Sequence, residues 1–167
     1  MNNKNKFGFT LIEIVVVVAS VGLIMTSVIG VVLGTFKSQN REKSTNKVME
    51  NGSWIINELR KNTLNSESTT IVCNTDKLSV EMVNMADQGK SVFDCNQISN
   101  KIASTSATRE SVLNSSEVNI TDCSNFVECT VDSSEKVTTV TFNFDIGATT
   151  SGVSVSKNFN TTVTLRN

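Results

Sequence analysis

Glu13 is the only charged side chain in residues 9–36, a 28-residue run otherwise made of apolar residues, glycines and a few hydroxyls. As a helix this run is roughly 42 Å long at ~1.5 Å per residue, more than the ~30 Å hydrocarbon core of a bilayer. A carboxylate near the centre of a membrane helix costs on the order of 2.5–3.5 kcal/mol, and an acid so placed usually has a partner. An ordinary anchor would keep an acid out, so Glu13 reads as functional. A cleaved secretory signal has an apolar region of about 7–15 residues and a small-x-small site. This run is about twice that length and carries an acid. A plain single-span anchor explains the length but not the residues that open it.

Those residues are Phe7-Gly8-Phe9-Thr10-Leu11-Ile12-Glu13, preceded by Lys4 and Lys6. Next to a long apolar run, this string resembles the type IV pilin-like family: pilins, minor pilins and type II secretion pseudopilins. The resemblance covers about residues 4–36 and is only architectural beyond. It implies a basic leader, residues 1–8, removed by a prepilin peptidase after Gly8. It implies that Phe9 becomes the new, methylated N-terminus, with Glu13 at the fifth place of the mature chain. Gly8 suits the cut because a residue without a side chain lets a peptidase approach the backbone closely. In a filament of staggered helices, Glu13 of one subunit would neutralise the Phe9 amine of its neighbour. Both charges would then lie in an apolar core, where a pair is tolerated and a lone charge is costly. The partners implied are the peptidase, other pilin or pseudopilin subunits, and the membrane.

Gly22, Thr26, Gly30 and Gly34 recur every four residues, which sets small side chains along one helix face. Gly30 to Gly34 is a G-x-x-x-G, a pattern that lets helices pack closely in membranes. The plain alternative is that membrane helices are richer in glycine in general. Many members of the family carry a mid-stem proline where the helix loosens in the filament. This chain has no proline, so any loosening falls to Gly22 and Gly30.

The net charge is −1, but the charge is unevenly spread. Residues 37–62 hold six basic and three acidic side chains, and residues 63–167 hold seven basic and twelve acidic ones. An acidic head does not suit nucleic-acid binding, which usually needs a basic face. Lys37, Arg41, Lys43 and Lys47 follow the span, and basic residues normally flank its cytoplasmic end. Taken alone, that rule puts the head inside. The resemblance puts it outside, because the leader is read on the cytoplasmic side, and the cysteines favour an oxidising compartment.

Residues 37–62 read as an amphipathic continuation of the stem helix. Val48, Ile55 and Leu59 recur at helical spacing, with Met49 and Ile56 beside them, and form a stripe for the head to pack against. Gly52 sits inside this pattern, where it costs about 1 kcal/mol relative to Ala and allows a bend. Trp54 is expected in the core. Residues 62–70 read as the helix end and a turn.

Residues 63–167 read as a β-rich head. Val140, Phe142, Phe144 and Ile146 alternate with polar residues, as a strand with one buried face does. Residues 147–152 read as a turn, after which Val153, Val155, Phe159, Val163 and Leu165 alternate again, completing a C-terminal hairpin. Further short strands are expected within 71–82 and 118–131, and a loop with a helical turn within 97–113. Together with the stem this makes an α+β fold: a long N-terminal hydrophobic helix packed on a small antiparallel sheet, as pilin-like proteins have.

Cys73, Cys95, Cys123 and Cys129 allow three pairings. There is no C-x-x-C and no histidine, so neither a metal site nor redox catalysis is expected. Two disulfides are expected, and proximity in sequence favours Cys123 with Cys129 and Cys73 with Cys95. No catalytic constellation appears and no cofactor is implied. The chain is therefore expected to be a structural subunit of a type IV pilus or a type II secretion-like pseudopilus. As a precursor it would cross the cytoplasmic membrane once with its head outside, and after assembly it would lie in an extracellular or periplasmic filament. The rival is a membrane-anchored, exported binding or adhesion module that does not polymerise. Glu13 separates the two, since polymerisation needs an acid there and an anchor does not.

Overall fold

The computed structural model describes residues 10–74, 76, 78–106, 109–134 and 136–165, in two units divided after Gln39. The expected processing positions Gly8 and Phe9 lie outside the described residues. One helix, α1 (Leu11–Leu64), contributes to both units. Among the described residues nine strands follow it, all pairing antiparallel, so the class is α+β.

In the second unit α1 buries Ser44, Val48, Gly52, Ile55, Leu59 and Thr63. Their spacing of three and four is one stripe of a 3.6-residue helix. This contains the expected stripe, extended by small residues at both ends and at its centre. Gly52 is not a bend. It is buried against the ring of Phe159, and a methyl group there would overlap that ring. The glycine that looked like a flaw in the helix is what lets the sheet approach it. Trp54, expected in the core, is half exposed, because it falls off the stripe beside Glu50, Asn51, Ser115 and Glu117.

The first sheet is a five-stranded meander: β1 (Val72–Asn74), β2 (Ser79–Val83), β3 (Lys90–Asn96), β4 (Lys101–Ser106) and β5 (Arg109–Val112). The last two strands correct the loop and helical turn expected over 97–113. Buried Asn114 holds this region. Its Oδ1 accepts from the Ile102 amide at 3.0 Å, and its Nδ2 donates to the Asn100 and Val118 carbonyls, each at 3.2 Å. An asparagine that satisfies the backbone in this way carries no period-2 signal.

The second sheet is built on β8 (Val137–Thr150). β9 (Val153–Thr164) pairs with it from Thr139 to Thr150. β6 (Asn119–Asp122) and β7 (Val127–Val131) share its other edge end to end, opposite residues 145–147 and 137–142. The C-terminal hairpin is present, but its turn is narrower than 147–152. Ser151 and Gly152 alone turn the chain, with φ of 49° and 79°. Two consecutive positive φ values make a type I′ turn, whose twist matches that of the strands it joins. Gly147 is a strand residue instead, crowded by the Thr121 methyl. The inner face of β8 buries Val140, Phe142, Phe144, Ile146 and Ala148. Phe126 lies 5.9 Å from Phe142 and 6.2 Å from Phe144, and Phe144 stacks on Phe159 at 5.9 Å. These rings carry the core from β7 across to the helix.

The disulfide pairing differs from the expectation. Cys73 bonds Cys129 and Cys95 bonds Cys123, with Cα separations of 6.2 and 6.3 Å. Cys73 on β1 faces Val80 on β2, and Val80 faces Phe93 on β3. Cys73 and Cys95 are thus two strand spacings apart, about 9–10 Å, beyond the ~7 Å a disulfide spans. Both bridges run from the first sheet to the second. They close separations of 56 and 28 residues, worth about 4 kcal/mol each in the chain-entropy model.

Non-reducing digestion followed by mass spectrometry is expected to give two linked peptides, Cys73 with Cys129 and Cys95 with Cys123. A Cys123–Cys129 loop would refute the two-sheet arrangement. Gly52→Ala is expected to destabilise the head by about 1–3 kcal/mol through overpacking against Phe159. Urea unfolding of the full chain in detergent, followed by the fluorescence of Trp54, measures it.

Candidate functional site on the N-terminal helix

The first unit holds residues whose burial nothing in the unit supplies. Large apolar side chains from Leu11 to Phe36 are 43% to 83% exposed. Leaving a Val, Leu or Ile side chain in water rather than burying it costs roughly 1.5–3 kcal/mol, so the run as a whole amounts to tens of kcal/mol. α1 is long and apolar enough to cross a membrane.

The polar groups of this run are almost all internalised. Ser20 Oγ donates to the Val16 carbonyl at 2.8 Å, and Thr26 Oγ1 to that of Leu23 at 2.9 Å. Ser27 Oγ donates to the Leu23 carbonyl at 3.2 Å, and Thr35 Oγ1 to that of Val31 at 2.9 Å. A hydroxyl bonded to its own helix asks nothing of a lipid or of a neighbouring helix. Glu13 is different. Its side chain is exposed and, among the described residues, makes no ion pair.

Thr10 precedes the first helical residue and caps it. Its Oγ1 accepts from the Glu13 amide at 3.4 Å, while its carbonyl accepts from Glu13 and Ile14 at 3.1 and 3.3 Å. Thr10 and Glu13 hold the threonine and acid positions of a capping box. An acid in the first turn also suits the positive end of the helix dipole. Glu13 therefore has local reason to start this helix beside any role between chains. The T-x-x-E spacing was the signal that could have assigned Thr10.

Gly22, Thr26, Gly30 and Gly34 all lie on α1 with their surfaces open, and a methyl group on any of the three glycines would meet nothing within 4 Å. No contact within the chain requires glycine there. Steps of four drift about 40° around a 3.6-residue helix, so the row is a slanted ridge. Ridges of this kind pack against one another at crossing angles near −40° to −50°.

The head offers a second candidate on its outer sheet face. A groove of about 470 Å³ is lined by Ser124, Asn125, Glu128, Thr141, Asn143 and Asn160, among others. Around it Thr141 bonds Thr162 across the hairpin at 3.0 Å, and Asn158 Nδ2 donates to Asn143 Oδ1 at 2.8 Å. Asp122 nearby is held below the ordinary carboxylate range, first by the Ser124 hydroxyl and then by its amide. Glu117 is lowered by its bond to Lys47, and Asp94 is raised by burial and by Glu110. Among the described residues no three His, Cys, Asp or Glu side chains gather closely enough to hold a metal ion. The four cysteines are consumed by the two bridges.

No protein-family model matches this chain, and no curated protein or solved structure matches it.

Gly30→Leu is expected to leave head unfolding within about 0.5 kcal/mol of wild type, since it touches nothing in the chain. In vesicles it is expected to lower energy transfer between labelled copies several-fold. Unchanged transfer would mean that the small-residue ridge is not a packing face.

Proposed function

We propose that this chain is a structural subunit of a type IV pilus or a type II secretion-like pseudopilus. Its leader, residues 1–8, is removed by a prepilin peptidase after Gly8, and Phe9 becomes the methylated N-terminus. The processed stem then passes from the cytoplasmic membrane into a filament of like subunits, with the head outside the cytoplasm.

One observation carries this reading. From Leu11 to Phe36 α1 exposes an apolar surface whose four hydroxyls bond its own carbonyls, and Glu13 is the one charged side chain on it. Lipid can cover the apolar surface, but the hydrocarbon core of a bilayer offers no partner for a carboxylate. A second helix of the same kind offers both an apolar cover and an α-amine four residues before its own Glu13. The two disulfides support a head in an oxidising compartment. The polar groove beside Thr141, Asn143 and Asn160 is the observation that favours the rival, an anchored binding module.

The deciding experiment recovers the native protein from sheared-surface and membrane fractions and measures its N-terminal mass. A chain starting at Phe9 with one added methyl group is expected. Glu13→Ala leaves a neighbour's amine unpaired in an apolar core, a loss of about 3–5 kcal/mol. Its yield in the sheared fraction is expected to fall about a hundredfold or more. Wild-type yield of the variant, or an intact Met1 start, would leave the anchored module as the reading.

A further inference from the structure

Ile98 is the most exposed large apolar side chain in the head, at 97%. The turn that carries it is held by side-chain hydrogen bonds and a bridge. Asn96 Oδ1 accepts from the Ile98 and Ser99 amides, both at 3.0 Å. Gln97 Nε2 donates to Asp122 Oδ1 at 2.9 Å, and the Cys95–Cys123 bridge anchors the strand leading in. A single exposed apolar side chain is ordinary. One held outward on a hydrogen-bonded turn, whose neighbour Gln97 bonds the Asp122 carboxylate, is placed to meet a second surface.

The other end of the head carries a groove of about 500 Å³, lined by Arg60, Leu64, Met85 and Leu165, together with Ser66 and Thr164. Leu64 and Met85 are about half exposed. Among the described residues, Arg60 makes no ion pair.

The two features occupy opposite poles of the second unit. Asn114 Nδ2 donates to the Asn100 carbonyl, and the neighbouring Ser115 amide donates to Asn51 Oδ1 at 3.1 Å. Glu117 pairs with Lys47. These contacts tie the Ile98 turn to the part of α1 around residues 47–51. Met85 donates its amide to the Asn65 carbonyl at 3.0 Å, which ties the groove to the end of α1. Asn51 and Leu64 are about 20 Å apart along the helix. β3 runs between the poles, from Lys90 opposite Val83 to Asn96 at the Ile98 turn.

We infer that the groove receives Ile98 from a second copy of this chain, with Asp122 beside that isoleucine facing Arg60 at the groove's rim. The knob and the groove are different surfaces at opposite ends, so the contact is heterologous. Repeated between opposite poles, it builds an open chain of heads wherever its rotation does not close a ring, as a filament requires. The opposite charges set the register in which the isoleucine enters. This inference rests on the filament reading and adds to it a contact that lies outside the apolar stem.

The test places a photo-reactive benzoylphenylalanine at position 98 of the full chain, and separately at Val17 in the stem as a second probe. Light and heavy isotopic copies are mixed so that a link between copies is recognised by mass. The expected result is a link from position 98 to peptides of another copy containing Arg60, Leu64, Met85 or Leu165. Ile98→Asp, with both disulfides verified by mass, is expected to lower copy-to-copy linking from a probe at Met85 by about tenfold or more. Ile98→Leu is expected to retain it. If Val17 links copies while position 98 stays unlinked or links elsewhere, this contact is refuted and the filament reading stands. If neither position links copies, both are refuted.

Discussion

Apolar surface that its own unit does not cover is the constraint from which the rest follows. From Leu11 to Phe36 the helix exposes aliphatic side chains along its length, and its hydroxyls are turned back onto its own carbonyls. Nothing polar is left to hold it in water except Glu13. An apolar solvent such as lipid or packed helices would cover it, and the helix is long and apolar enough to cross a membrane. A charge on Glu13 inside such a solvent is costly unless a partner brings an opposite charge to it.

The head solves a separate problem, that of a small domain with few aromatic residues. Its core is a relay of rings, Phe126 to Phe142 and Phe144 and on to Phe159, ending against the bare backbone of Gly52. The helix contributes a narrow stripe to this core, and small residues along it let the sheet come close. The two bridges add cross-linking to a core of modest size. The outer face of the hairpin is a ladder of Thr, Asn and Ser pairs bonded across the strands. That polarity leaves the inner face as the only one able to pack.

Periodicity carried most of what was legible. The stripe of Val48, Ile55 and Leu59 and the alternation from Val140 to Ile146 are patterns of burial written directly in residue type. What was not legible depended on contacts far apart in sequence. Trp54 looked like core by its chemistry, but its place around the helix decided its exposure. Gly52 looked like a weakness, because only Phe159, more than a hundred residues later, gives it a purpose. β4 and β5 are rich in Ser, Thr and charged residues, and the pairing of β4 with β3 and of β5 with β4, rather than any apolar alternation, makes them strands. The cysteine pairing failed for the same reason: sequence proximity is a poor guide once β2 stands between β1 and β3. In the stem, Glu13 and the row of small residues stand out in the sequence, and Thr10 was legible only through its T-x-x-E spacing to Glu13.

The connectivity of the bridges has a consequence for the order of events as the chain is made. Cys73 and Cys95 emerge before either of their partners. At that stage the only bond open to them is the one the finished head forbids, because β2 comes to lie between them. A head oxidised as it emerges, N-terminus first, would be trapped in the wrong loop until a later thiolate attacked it, and such reshuffling takes seconds to hours. The correct bridges become possible only once Cys123 and Cys129 have followed. Timing of oxidation, or an isomerase to repair it, is therefore as much a condition of this fold as its phenylalanines.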